Sequence, residues 1–309
     1  MMRQISSSKL LKRIFYHWQL YAMLVIPVVY IIIFAYWPMY GAQIAFRQFM
    51  PRLGIWDSPW VGMDNFMRFF NSHQFRRVIV NTFVLSAYGL VAGFPLPIIL
   101  ALGLNVIQRK YFRKTVQMVT YIPHFISVVV IVGMIFQLFN PILGIYGNAW
   151  RALFDTRPPN LLGNPSAFRH IFVWSGIWQG VGWGSIIYFA ALSGIDVQLH
   201  EAAIADGASR FKRIIHIDIP GIMPTAVILL ILSCGNIMSV GFEKVFLMQN
   251  ELNRSASEVI STYTYRVAFV GGTDFSLASA VGLFNSVVGL VLIIIVNTIA
   301  KKVGETSLW

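Results

Sequence analysis

A chain of 309 residues, 57% hydrophobic, 12% charged and with a mean hydropathy of +0.66, is too apolar to clothe a water-soluble globule in polar surface. Its net charge of +12 is spread over short polar segments with no long basic arm, which argues against a nucleic-acid partner and for anionic lipid headgroups and membrane orientation. The single cysteine, Cys234, rules out an internal disulfide framework or a Cys-rich metal site.

Six stretches are long enough to cross a hydrocarbon core of ~30 Å as helices, which lipid requires because it offers backbone groups no partner. They fall at 20–40, 79–106, 116–139, 170–193, 221–242 and 276–300. The predicted fold is an all-α polytopic membrane protein with a cytoplasmic tail at 1–19, a six-span domain at 20–300 and a cytoplasmic C-terminal tail at 301–309. The first stretch has no small-residue cleavage site after a short apolar region and reads as a retained span. Arg3, Lys9, Lys12 and Arg13, then Arg109, Lys110, Arg113 and Lys114, then Lys301 and Lys302 lie on one side, so both termini are expected in the cytoplasm. The opposing loops, 41–78, 140–169 and 243–275, also carry arginines such as Arg76 and Arg77, so the bias is one of density. These loops hold Trp56, Trp60, Trp150, Arg157 and a stiff Pro158-Pro159 pair, suited to a docking protein or to the lipid interface.

Between the fourth and fifth spans lies a charged stretch, 196–220, containing HEAAIADGASRFKRIIHIDIP at 200–220. A zinc-protease H-E-x-x-H is excluded, because the fifth position is Ile204. Two short helices are predicted: Leu199, Ala202 and Ala203 share one face, Phe211, Ile214 and Ile215 another, and Gly207 supplies a left-handed turn between them. Pro220 is expected to limit the second helix and open the next span. A hairpin lying on lipid headgroups has the same periodicity.

Glu201-Ala202-Ala203, three residues, Gly207, nine residues, Ile217, one residue and Ile219-Pro220 resembles the E-A-A-x3-G-x9-I-x-L-P loop of binding-protein-dependent ABC importer permeases, with Ile219 in place of Leu. YWPMYGAQIAF at 36–46, SPWVGMDNF at 58–66, YIPHFIS at 121–127, WQGVGWGSIIYFAAL at 178–192 and the terminal SLW are similar to the carbohydrate subfamily serving complex oligosaccharides, the lipoprotein-B-like permeases. The resemblance implies a type I ABC importer permease fold in a bacterial inner membrane. It makes 196–220 a coupling loop in which Leu199, Glu201, Ala202, Ala203, Asp206, Gly207 and Phe211 meet an ATPase. The implied partners are a second homologous permease, two ATP-binding subunits, an extracytoplasmic solute-binding protein and an oligosaccharide. ATP and Mg belong to the ATPase subunits, and no cofactor is expected on this chain, which lacks a G-x-x-x-x-G-K-[ST] loop.

No catalytic or metal site is predicted, because the six histidines lack ligand spacing and Ser, His and Asp are scattered. A secondary transporter or channel working without ATPase subunits is the alternative, although paired intramembrane carboxylates and repeated halves are not evident; an intramembrane enzyme ranks third. Polar side chains within spans are costly enough to mark a path. Asn81, Thr82, Ser86, Tyr88, Tyr121, His124, Ser127, Ser175 and Ser286 are candidates, and the substrate pathway is expected to centre on Trp174, Trp178, Gln179, Tyr188, Asn236, Ser239 and Asn285. Trp174 and Trp178 share a helical face where indoles can stack on sugar rings, whereas Trp183 points elsewhere. Interfacial anchoring by Trp and helix joining by Ser and Asn produce the same pattern. His124 reads as a packed residue, and Gly180, Gly182 and Gly184 as close-packing positions. Basic outer loops suit an acidic glycan such as a uronate oligomer or an acidic binding-protein surface, and a neutral glycan stays open.

Overall fold

The computed structural model describes residues 16–304, so Arg3, Lys9, Lys12, Arg13 and the terminal SLW lie outside the described residues. Among the described residues every regular element is helical, and β pairing is limited to two isolated bridges, Arg47 to Trp60 and Met50 to Gly54. Four helices are each long and apolar enough to cross a bilayer, and the number reaches six when two bent pairs each count as one span.

The first span is α1, Trp18–Phe46, which contains a π turn at Ile32–Tyr36 and tightens to a 3-10 helix over Tyr40–Phe46. No residue between Trp18 and Met39 is buried against the rest of the chain. After a short helix, α2 (Asp64–Phe70), the second span is α3, Phe75–Val106, with Pro95 opening its second segment.

The third span is not the single helix expected at 116–139. It is α4, Lys110–Phe125, followed by α5, Val128–Leu138, at 100° to it. Pro123 withholds an amide hydrogen from the helical ladder and crowds the turn before it, the chain leaves the helix at Ile126, and Ser127 caps α5 by accepting from the Val130 N–H at 3.4 Å. The carbonyl of Ile126 gains a substitute donor in the Gln179 amide at 3.1 Å.

After α6 (Ile145–Phe154), the fourth span, α7 (Pro165–Ser193), forms the centre of the bundle. Asn164 caps it, its Oδ1 accepting from Ser166 N and Ala167 N, and Pro165 occupies a first-turn position that needs no donor. Gly182 of α7 rests on the backbone of α4, where a Cβ would stand 2.0 Å from the Thr120 carbonyl oxygen. Gly184 faces Pro97 at 3.3 Å, and Gly180 faces open space. Trp183 turns to the other side and stacks on His124, ring centroids 4.5 Å apart.

The coupling stretch forms α8, Val197–Ala205, bent by 71° from α7. The fifth span, α9, runs unbroken over Arg210–Gly235. Pro220 therefore does not divide a second short helix from the span: a π turn at Ile214–Asp218, closed by Ile219 N–H to the Ile214 carbonyl, widens the helix just where the ring would crowd it. The span also ends earlier than 242, because Asn236 caps the helix and 236–241 runs irregularly into α10, Phe242–Met248. Helices α11 (Ile260–Tyr265) and α12 (Phe275–Gly304) complete the fold, with Gly289 of α12 allowing close approach to the Gly235 carbonyl of α9.

The segment after α9 is built into the bundle. Glu258 is 2% exposed and pairs with Arg266, which also reaches Gln74. Asn81 donates to the carbonyls of Ser255 and Glu258 and accepts from Arg169, while Thr82 Oγ1 accepts from Ile260 N. Val245, Met248 and Val259 pack with Leu85, Ile131 and Phe168.

Candidate coupling and transport sites

Asp196 starts α8 by accepting from Gln198 N at 2.9 Å, and Gly207 ends it with φ +75°. Gly207 N–H bonds the Ile204 carbonyl and Ala208 N–H bonds that of Ala203, the paired bonds of a Schellman turn that favours glycine at the left-handed position. Leu199, Glu201, Ala202, Asp206 and Gly207 are exposed, and Ala203 is half-buried. Phe211, on the first turn of α9, is 70% exposed. The seven residues therefore gather at one end of the molecule, and six of them present free surface. His200 turns inward instead: its Nε2 lies 3.4 Å from Oδ1 of Asp218, which is 3% exposed and also lies 3.5 Å from Asn105 Nδ2. Asn105, Gln108, His200, Arg213 and Asp218 line one small niche of about 180 Å³, which ties the loop between the second and third spans to the coupling helix.

The seven pathway residues do not converge on one place. Trp174 and Trp178 do share a face, and both line an almost wholly apolar cavity of about 740 Å³ between α5, α6 and α7. Trp174 Nε1 donates to Tyr88 Oη, which is also 2.9 Å from His170 Nδ1. Tyr188, Asn236 and Ser239 line a second cavity of about 620 Å³ between α3, α7 and α9, together with Ser86, Ser233 and the small Gly89, Gly93, Gly184 and Gly241. Most of its wall is apolar, including Leu85, Phe94, Phe172, Leu229 and Leu232, and four hydroxyls and one amide are set into it. Gln179 lies on neither wall, its amide being engaged with Ile126. Asn285 also lines neither cavity; its Oδ1 is buried without a hydrogen-bond partner among the described residues.

Sequence reasoning missed Lys244. It lies three residues beyond Gly241 of the cavity wall, is 8% exposed, donates from Nζ to the Phe172 carbonyl at 3.0 Å, and has its pKa pushed down to about 8 by burial. Its signal was a Glu-Lys pair inside the otherwise apolar run VGFEKVFLM, read only as part of an outer loop. The inward pair His200 and Asp218 was missed because it sits within a motif read for its outward face.

An all-helical, multi-span bundle with an exposed, capped helix at one end and a cavity between spans is the architecture of a membrane transport subunit. Residues 93–305 match the family described as binding-protein-dependent transport system inner membrane component, and the chain belongs to that family. It is 41% identical over 290 residues to protein LplB of Bacillus subtilis (strain 168), covering 94% of this chain and 91% of the relative. The polygalacturonan/rhamnogalacturonan transport system permease protein YteP of the same organism is also 41% identical over 290 residues, covering 94% and 90%. A chain of the crystal structure of a bacterial ABC transporter that imports the acidic polysaccharide alginate superposes with a TM-score of 0.87 at 39% identity, over 96% of this chain and 99% of that one. The same fit, at 38% identity, holds for the alginate transporter in complex with its alginate pentasaccharide-bound periplasmic protein. The chain is thus a permease component of an ABC importer working with a binding protein.

Proposed function

We propose that this chain forms one half of the transmembrane path of an ATP-driven oligosaccharide importer in a bacterial inner membrane, with both termini cytoplasmic. A second homologous permease completes the path, two ATP-binding subunits hold ATP and Mg and carry out hydrolysis, and an extracytoplasmic binding protein delivers the glycan. The observation that carries this reading is the exposed helix α8, pinned to α9 through His200 and Asp218, with α9 ending at the cavity that holds Ser86, Tyr188, Ser233, Asn236 and Ser239. An ATPase that grips Leu199, Ala202 and Phe211 moves a helix whose far end shapes the sugar-facing wall. The glycan transport named for YteP and for the alginate transporter supports the substrate class. The bare apolar surface of α1 supports a second permease packed beside it.

The test is reconstitution of the four-component importer in proteoliposomes. ATP-dependent glycan uptake and binding-protein-stimulated ATP hydrolysis are expected, and both should be lost in Ala203→Trp and Gly207→Val, because overpacking a fitted contact costs ~1–3 kcal/mol. Full stimulation and normal subunit recovery in both variants rule out the docking role, and uptake driven by an ion gradient through this chain alone rules out the importer.

A further inference from the structure

We propose that Lys244 is a specificity-determining cation of the cavity between α3, α7 and α9, selecting glycans that carry carboxylates, the uronate oligosaccharides, over neutral ones; this rests on the importer reading above and names the substrate class of the same cavity.

The placement is unusual for a lysine. Its ammonium lies against Gly176 of α7, where a Cβ would stand 3.3 Å from Nζ. The charge lies 5.1 Å from the centroid of the Phe172 ring, and Phe172, Val240 and Gly241 are walls of the cavity. The cation therefore stands one side chain behind the surface that a passing sugar meets. Of its three N–H donors, one has a protein acceptor, the Phe172 carbonyl.

Nothing neutralises it. Among the described residues no carboxylate pairs with Lys244. Helix α5, packed on α10, carries no titratable group; α11 brings Tyr263 and Tyr265, and the outer turns of α7 bring Arg169 and His170. Glu243, the adjacent acid, points to the exposed side. The cavity lining itself holds hydroxyls, an amide and apolar groups but no acid and no base. A buried, unpaired cation is costly to keep. Its field is weakly screened in such surroundings, so a monoanionic group entering the cavity gains from it while a hydroxyl gains little.

The experiment uses the whole reconstituted importer with one binding protein in every arm, so that the binding protein's own preference cancels between wild type and variant. The probes are short galacturonate, mannuronate and guluronate oligosaccharides and their carboxyl-reduced, neutral counterparts. At pH 7 the wild type should favour the best uronate over its reduced counterpart by about ten-fold or more in uptake at limiting concentration. Lys244→Met should shrink that preference to within about two-fold, and Lys244→Arg should keep it. Raising the pH from 7 to 9 should erode the preference in the wild type, whose Lys244 loses its proton near 8, and leave it intact in Lys244→Arg. This comparison decides the matter even if Lys244→Met is recovered poorly. An unchanged preference in Lys244→Met, a pH-independent preference in the wild type, or uptake that favours or equals the neutral probes overturns the role of Lys244 and leaves the importer standing. Absence of ATP-dependent uptake of every probe by a fully assembled complex defeats the importer reading and this proposal together.

Discussion

Lys244 works against the fold that holds it. Its value in the folded protein, about 8, lies below the ordinary 10.5, so between those pH values the folded state binds fewer protons than the unfolded one. Stability therefore rises as pH climbs through that window, and below about 8 a penalty on the order of 3 kcal/mol is present in full. Lys244→Met should raise the melting temperature of the purified complex at pH 7, and thermal scans at pH 7, 9 and 10 should show the gain fading. A gain that is constant with pH would trace it to packing instead of charge. Two neighbours in the sequence-derived pathway separate by the same accounting. Asn236 lines the cavity between α3, α7 and α9 with an Oδ1 that accepts no hydrogen bond among the described residues, so Asn236→Ala should weaken glycan uptake roughly five- to two-hundred-fold with assembly intact. Gln179→Leu removes the donor to Ile126 and costs ~1–3 kcal/mol of stability, so subunit recovery should fall before substrate affinity does. The shared face of Trp174 and Trp178 was legible from helical period. That they line a different cavity from Asn236 was not, because periodicity orders residues around one helix and says nothing of which neighbour closes the space.

At the scale of the element, the coupling hairpin was the most legible part of the chain, since Gly207 needs a left-handed backbone and the alanines need an open face. Its anchor was hidden: His200 and Asp218 are 18 positions apart and meet only because α8 folds back along α9. Asp218→Ala should leave basal ATP hydrolysis of the assembled complex in place while lowering its stimulation by loaded binding protein several-fold, the two being read in one assay with and without that protein. Equal stimulation in wild type and variant would show that α8 is held well enough by its Schellman turn alone. The broken third span shows the complementary limit. Hydropathy reports apolar length, and α4 with α5 satisfies it as well as a straight helix does; the 100° bend depends on Pro123, Ser127 and a donor from another helix. Gly182→Ala places a methyl against the Thr120 carbonyl and should lower recovery of folded protein sharply, whereas Gly180→Ala, facing open space, should not.

At the scale of the whole molecule, the two ends are held apart by geometry. Asn105, Gln108, His200 and Arg213 share one end, while Asn250 and Asn253 both donate to the Leu162 carbonyl at the other. In a background without Cys234, an impermeant thiol reagent outside intact cells should label a cysteine at Asn160 and spare one at Ser209; the reverse pattern overturns the proposed orientation. The two bent pairs and the continuous helix α9 differ in how they can carry a displacement. A bent span yields at its joint, but α9, 26 residues long or roughly 39 Å, carries its π turn near the α8 end at Ile214–Asp218 and runs from there to Gly235 as one α-helix. Tilting the α8 end of such a helix by about 10° around its middle would carry the opposite end through roughly 3 Å, close to the reach of one hydrogen bond. Asn236 caps that end, and Ser239 follows it in the irregular segment 236–241. With an ATPase docked on α8 as proposed, its stroke and the cavity stand at opposite ends of a single beam, and a displacement at one end reaches the other without any signal passing from residue to residue through the bundle.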